Sequence, residues 1–151
     1  MKGYTLARMM KSDLRVKQLF RGIYSRDRLP KHVVLKPSIY IINTDHSRGA
    51  GLHWVCVYIG SNNIAEYWDS FGLDIQNYEI WKFINDNSSR YIYNDSVLQP
   101  VFSETCGYYC LYYAMKKSRG VSMQNITKHF RRLKPYYNDY IVTRHYTKTY
   151  F

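Results

Sequence analysis

The chain has three cysteines among its 151 residues, an odd number without paired spacing. That excludes a disulfide scaffold and suits a reducing compartment. There is no Cys-x-x-Cys, no His-Glu-x-x-His and no Cys/His cluster at zinc spacing, so no metal is expected. No apolar run reaches membrane-spanning length, and Met1 to Arg8 lacks the apolar stretch of a signal peptide. A soluble, intracellular protein that enters no membrane is the expectation. Internal repeats, low-complexity tracts and Gly/Ser linkers are also missing, which leaves one domain over residues 1–151. Acidic residues are scarce, 11 Asp and Glu against 22 Lys and Arg, for a net charge of +11. An excess of this size favours an acidic polymer as partner, with non-specific DNA binding first among the candidates. The bland alternative is a charged, solvated surface. Hydrophobic residues make up 46% of the chain, enough for a packed core and against disorder.

Residues 5–20 mix apolar and basic side chains and read as one or two short amphipathic helices, with a restart capped at Ser12-Asp13. Gly22 to Pro37 reads as a basic loop. Ile39–Asn43 is a buried strand by its β-branched run. His53–Ile59 and Ile64–Asp69 form a hairpin across the Gly60-Ser61-Asn62-Asn63 turn. Asp74–Asn87 carries Ile75, Tyr78, Trp81 and Ile84 at three-residue spacing, the mark of a helix capped by Asp74. Tyr91–Leu98 reads as a further strand, and helices follow over Cys106 to about Ser118 and Ser122 to about Arg132. The tail from Lys134 to Phe151 interleaves tyrosines with Arg144, His145 and Lys148, either to pack or to stack on bases. Strands cluster in the middle with helices around them, so the fold class is α+β with a central mixed sheet.

The chemistry concentrates in Gln99-Pro100-Val101-Phe102-Ser103-Glu104-Thr105-Cys106-Gly107-Tyr108-Tyr109-Cys110. Turn-forming residues deliver Cys106 to the first turn of an aromatic helix, where unpaired N–H groups and the macrodipole stabilise a thiolate. A cysteine there can titrate in roughly the 3.5–7.5 range, especially beside a histidinium. Ser103 or Thr105 is the candidate cap. The hairpin supplies the base: it sets His53 at one strand's start beside Asp69 at its neighbour's end, roughly 5 Å between Cα atoms. Gln99 and the Cys106 backbone N–H are candidate oxyanion donors. Cys56 and Cys110 read as core residues. His32, His46, His129 and His145 read as surface or loop residues. Asp45, Glu66 and Asp74 are weaker partners for His53, and Trp54 reads either as a wall shielding the imidazole or as plain core.

His53-Trp54 heading a strand, then Asp69-Ser70-Phe71-Gly72, then Gln99 seven residues ahead of Cys106-Gly107-Tyr108-Tyr109-Cys110, resembles the adenovirus proteinase (adenain) family, a relative of the ubiquitin-like (SUMO-type) proteases. The resemblance extends to Phe20–Tyr24, to Ile41–Thr44 with Gly51–Trp54, and to Arg131–Tyr137, nearly the whole chain. It implies a papain-like active-site geometry in adenain-like chain order, with His53 and Asp69 ahead of Cys106. In those roles Cys106 attacks the peptide carbonyl and His53 pairs with the thiolate and then protonates the leaving amine. Asp69 orients the ring, and Gln99 with the Cys106 N–H holds the oxyanion. Adenain carries Glu where Asp69 stands. It also tethers an activating viral peptide through a cysteine whose matching region here, Asn87-Ser88-Ser89-Arg90, has none. Activation by DNA or by a peptide without a disulfide is therefore the implied form.

These observations predict a viral cysteine endopeptidase, monomeric, acting in the virion and host nucleus on capsid and core precursor proteins at Gly-containing sites. The rivals are a deubiquitinase or deSUMOylase, and a basic DNA-binding packaging protein with a vestigial site.

Overall fold

A computed structural model of the chain describes the backbone of residues 1–150 and the side chains of residues 1–144. Helices α1 (Gly3–Ser12) and α2 (Leu14–Leu19) lead into strand β1 (Phe20–Ser25). Strands β2 (Ser38–Asn43), β3 (Trp54–Ile59) and β4 (Ile64–Trp68) follow, then helix α3 (Tyr78–Asn87) and strand β5 (Arg90–Tyr93). Helices α4 (Cys106–Lys117), α5 (Met123–Lys128) and α6 (Pro135–Tyr150) complete the order. The sheet runs β1-β2-β3-β4-β5, with antiparallel pairs at the centre and a parallel pair at each edge. This is the α+β class with a mixed central sheet.

Both faces of the sheet are covered, which explains why the β2 sequence is apolar throughout rather than alternating. Ile39 and Ile41 of β2, Cys56 of β3 and Trp68 of β4 face the core built with α1, α2, α4, α5 and α6. Tyr40 and Ile42, Val55 and Val57, and Ala65 and Tyr67 face the opposite core, where Ile80, Phe83 and Ile84 of α3 close it. The period of two sorts neighbouring residues into different layers. Trp68 is fully buried and stacks on Tyr113 of α4, ring centroids 4.3 Å apart. Trp68→Ala is expected to cost about 3–5 kcal/mol of stability, because the stacked rings cannot collapse into the space. Urea unfolding measures that cost; a loss below about 1 kcal/mol contradicts this packing.

The restart between the first two helices is capped as expected: Asp13 accepts hydrogen bonds from the Arg15 and Val16 N–H groups. Ser122 likewise caps α5 through Asn125. Other expectations need correction. Gly22–Pro37 is not all loop, since Phe20–Ser25 pairs parallel to β2. The strand carries an irregularity at Gly22, whose φ of 143° suits glycine alone, and this break masks its pattern. Helix α3 begins at Tyr78, not Asp74; the Asp74 carboxylate is engaged with the Ile75 N–H and the Tyr91 hydroxyl. Strand β5 stops at Tyr93, and α5 stops at Lys128. Thr105 sits at the α4 N-cap but makes no capping bond with its side chain. The tail is a helix from Pro135, and the side chains of His145, Tyr146 and Lys148 lie outside the described residues. No helix among the described residues is long and apolar enough to cross a membrane.

Candidate active site

The hairpin register runs Cys56↔Trp68 and Ile59↔Ala65, so continuing it sets Val55, not His53, opposite Asp69. His53 and Asp69 nevertheless meet. The chain leaves the ladder after Trp68, and a turn sends the Asp69 carboxylate back to the ring, with His53 Nε2 2.8 Å from Asp69 Oδ1. That turn is fixed from several sides. The Asn94 side chain pairs with the Asp69 backbone through two hydrogen bonds, at 2.9 and 2.6 Å. The Leu98 and Gln99 N–H groups both donate to the Ser70 carbonyl. Gly72 closes the turn on the Asp69 carbonyl at a φ of 72°, and a Cβ there would lie 2.5 Å from the Ser96 backbone. Asp69 Oδ1 also accepts the Phe71 N–H at 2.8 Å, so the carboxylate is held before it meets the imidazole.

Cys106 is the first residue of α4, and its sulfur receives the Trp54 N–H at 3.5 Å. With Nε2 turned to Asp69, Nδ1 is the ring nitrogen left for the hydrogen bond between His53 and Cys106. Burial works against the thiolate, but the hydrogen bond with His53, the Trp54 N–H, the His53 charge and the Gly107 N–H outweigh it. They hold the Cys106 thiol below its ordinary value. Burial also disfavours a charged His53. The hydrogen bonds to Asp69 and Cys106, with the charges of both, nevertheless lift the ring from 6.5 to about 9. The two shifts favour the same state, thiolate beside imidazolium. Cys56 and Cys110 are both fully enclosed, and burial pushes their thiols up.

Gln99 is buried, and its amide is fixed at both ends. Its Oε1 accepts from the Ser70 hydroxyl and its Nε2 donates to the Ser103 carbonyl at 2.7 Å, leaving the second N–H of that nitrogen. Gln99, Cys106, His53, Trp54 and Phe71 line one cleft of about 520 Å³. Asp69 does not line the cleft and joins the other three expected residues through its bond to the His53 ring. Among the described residues, no group of three His, Cys, Asp or Glu side chains is arranged to hold a metal ion.

Three features escape a sequence reading. Phe71, rather than Trp54, stacks on the His53 ring at a centroid distance of 4.8 Å. Trp54 acts through its backbone N–H on the sulfur, while its indole N–H donates to the Met1 carbonyl at 3.0 Å. Met1 and Lys2 therefore line the cleft, a long-range contact with no local signal. The weaker carboxylates lie elsewhere: Glu66 pairs with Lys117 at 3.0 Å and accepts the Tyr113 hydroxyl, and Asp45 receives the Gly51 N–H. Among the other histidines, His46 sits 3.2 Å from Asp27 and His129 meets the Tyr112 hydroxyl at 2.8 Å. Neither lines the cleft.

No family model matches the chain, and no curated protein matches it either. Its fold is similar to crystal structures of the ASFV pS273R protease. One superposes with a TM-score of 0.56 at 14% identity, covering 78% of this chain and 58% of that one. A selenomethionine form gives 0.50 at 20% identity, covering 66% and 42%. The chain thus spans between two-fifths and three-fifths of the length of that protease. At such identities the likeness shows the fold alone, which this chain shares with part of that protease.

Proposed function

We propose that this chain is a cysteine endopeptidase of the adenain type, with Cys106 as nucleophile, His53 as base and acid, and Asp69 as the ring's anchor. The observation that carries the reading is the sulfur of Cys106 at a helix start, bonded to the Trp54 N–H and to an imidazole backed by Asp69. The thiolate adds to the peptide carbonyl carbon, and the His53 imidazolium then gives its proton to the departing amine nitrogen. Water attacks the resulting thioester, with His53 taking the water's proton, and releases the acid. The free N–H of Gln99 and the backbone N–H of Cys106 are the donors for the oxyanion of both tetrahedral intermediates. Substrates are viral capsid and core precursor proteins cut at Gly-containing segments, in virion and nucleus. The net charge of +11 favours DNA as a second, non-specific partner.

Activity needs the thiolate and the imidazolium together. The thiolate forms as pH rises through the lowered Cys106 value, and the imidazolium is lost as pH passes about 9. Turnover is therefore expected to follow a bell with its plateau below pH 9. A single rise like that of a free thiol, continuing beyond pH 9, speaks against the ion pair.

Mapping the products of a peptide library by mass spectrometry, with and without DNA, tests the proposed substrate class. Cleavage within Gly-containing peptides, faster with DNA at low salt, is the expected result. Release of ubiquitin from tetraubiquitin, or processing of SUMO precursors, with the library left intact points instead to a ubiquitin-like protease. DNA binding without any hydrolysis points to the packaging protein.

A further inference from the structure

Two consecutive residues of α6 grip the nine-residue segment that carries both Gln99 and Cys106. Asn138, fully buried, donates from Nδ2 to the Leu98 carbonyl at 3.0 Å, one residue before Gln99. Its amide is itself fixed by the Arg131 N–H and carbonyl at 2.8 and 2.9 Å. Asp139 Oδ1 accepts the Thr105 hydroxyl at 2.8 Å, one residue before Cys106. The same oxygen accepts the Tyr109 hydroxyl at 2.8 Å, so Asp139 also holds the first turn of α4 from its side.

The hydrogen count extends this grip. The single Thr105 hydroxyl proton is given to Asp139, so the Ser103 hydroxyl, 2.9 Å from Thr105 Oγ1, must be the donor of that pair. The Ser103 carbonyl in turn takes the Gln99 Nε2 proton. A continuous run therefore leads from the Asp139 carboxylate through Thr105 and Ser103 to the Gln99 amide. Thr105, at the N-cap, makes no capping bond, since its backbone (φ −98°, ψ 8°) is not the extended conformation of a cap, and its hydroxyl proton goes to α6 instead. A capping bond would stabilise α4, whereas this one fixes where α4 begins relative to Gln99.

We propose that Asp139 is a positioning residue for the nucleophile and the oxyanion amide, setting their relative placement through Thr105 and Ser103. The proposal rests on the endopeptidase reading. Nothing in the family motif around Cys106 requires it, and Asp139 lies 33 residues beyond Cys106 in sequence. Loss of the carboxylate frees the 99–105 segment to shift. Misplacing reacting groups by about an ångström can cost about a hundredfold in rate, and a partial loosening about tenfold.

The test uses the full chain and a peptide found to be cleaved, with kcat and KM measured separately and the rate of Cys106 alkylation by iodoacetamide recorded. Asp139→Ala and Thr105→Val are each expected to lower kcat about tenfold with KM within about twofold. The double variant should be no slower than the slower single, because both changes cut the same run. Asp139→Asn and Thr105→Ser restore most of the turnover, since each keeps the acceptor or donor atom. Thr105→Val serves as the independent arm if Asp139→Ala folds poorly. Full kcat in both disruptive variants, or equal losses in Asp139→Ala and Asp139→Asn, overturns the proposal. A wild-type chain that neither cleaves peptides nor alkylates selectively at Cys106 removes the endopeptidase reading itself, and this inference with it.

Discussion

Cys106→Ala is expected to lower peptide hydrolysis by about a million-fold, the loss seen when a protease nucleophile is removed from an intact site. Its magnitude follows from what the sulfur does. Among the described residues it is the one cysteine lining the cleft, and in the proposed mechanism the groups around it act through it: the Trp54 N–H, the His53 ring and the α4 N-terminus. Removing the nucleophile of such a unit therefore costs about as much as removing the whole unit. The fold should barely register the change, because Cys106 lines an open cleft and is only partly buried. Cys56→Ala and Cys110→Ala invert the pattern, since both sulfurs sit inside the core and their loss is paid in stability, not in turnover. Steady-state rates and melting temperatures of the three variants separate the cases. Equal activity in Cys106→Ala and the wild-type chain ends the nucleophile assignment.

Asp69→Asn is expected to cost about a thousandfold in kcat/KM, somewhat less than the ten-thousandfold loss in a serine triad. The thiolate is a stronger nucleophile than a hydroxyl, and the contact between sulfur and ring survives the change. The amide oxygen of an asparagine can keep both the Phe71 N–H and the His53 ring at the distances now made by Oδ1. Charge, then, is what the variant removes. The Asp69 hydrogen bond is the largest cause that lifts His53 against its burial, followed by the Cys106 hydrogen bond and then the Asp69 charge, so losing that charge should lower the ring's value from about 9. The alkaline limb of the rate profile should move down with it, which a simple loss of packing would not do. An unchanged alkaline limb, with the rate reduced, contradicts this role for Asp69.

The site was far more legible in the sequence than its setting. Cys106 at a helix start, Gln99 ahead of it and a His53–Asp69 pair across a hairpin follow from turn chemistry and residue type; in the structure His53, Gln99 and Cys106 line one cleft and Asp69 is held to the His53 ring. His53 and Asp69 meet, but not through the register expected of the hairpin. The ladder does not continue to Asp69; the Asn94 clamp and the Gly72 turn swing the carboxylate back. Strand β1 is hidden by the irregularity at Gly22 and by Arg21 within it. Helix α6 was hidden for a different reason. It is anchored in large part by polar atoms of Asn138 and Asp139 and by Val142, not by a regular apolar stripe. Hydrogen bonds spanning more than thirty residues leave no periodicity to read.

The most direct test of the thiolate–imidazolium pair is alkylation of the native chain by iodoacetamide at pH 7, followed by peptide mapping of all three cysteines. Rapid labelling of Cys106 alone, with Cys56 and Cys110 untouched and the rate reduced in His53→Ala, is the predicted result. Equal labelling of the three sulfurs, or a Cys106 that reacts no faster than a free thiol, contradicts it.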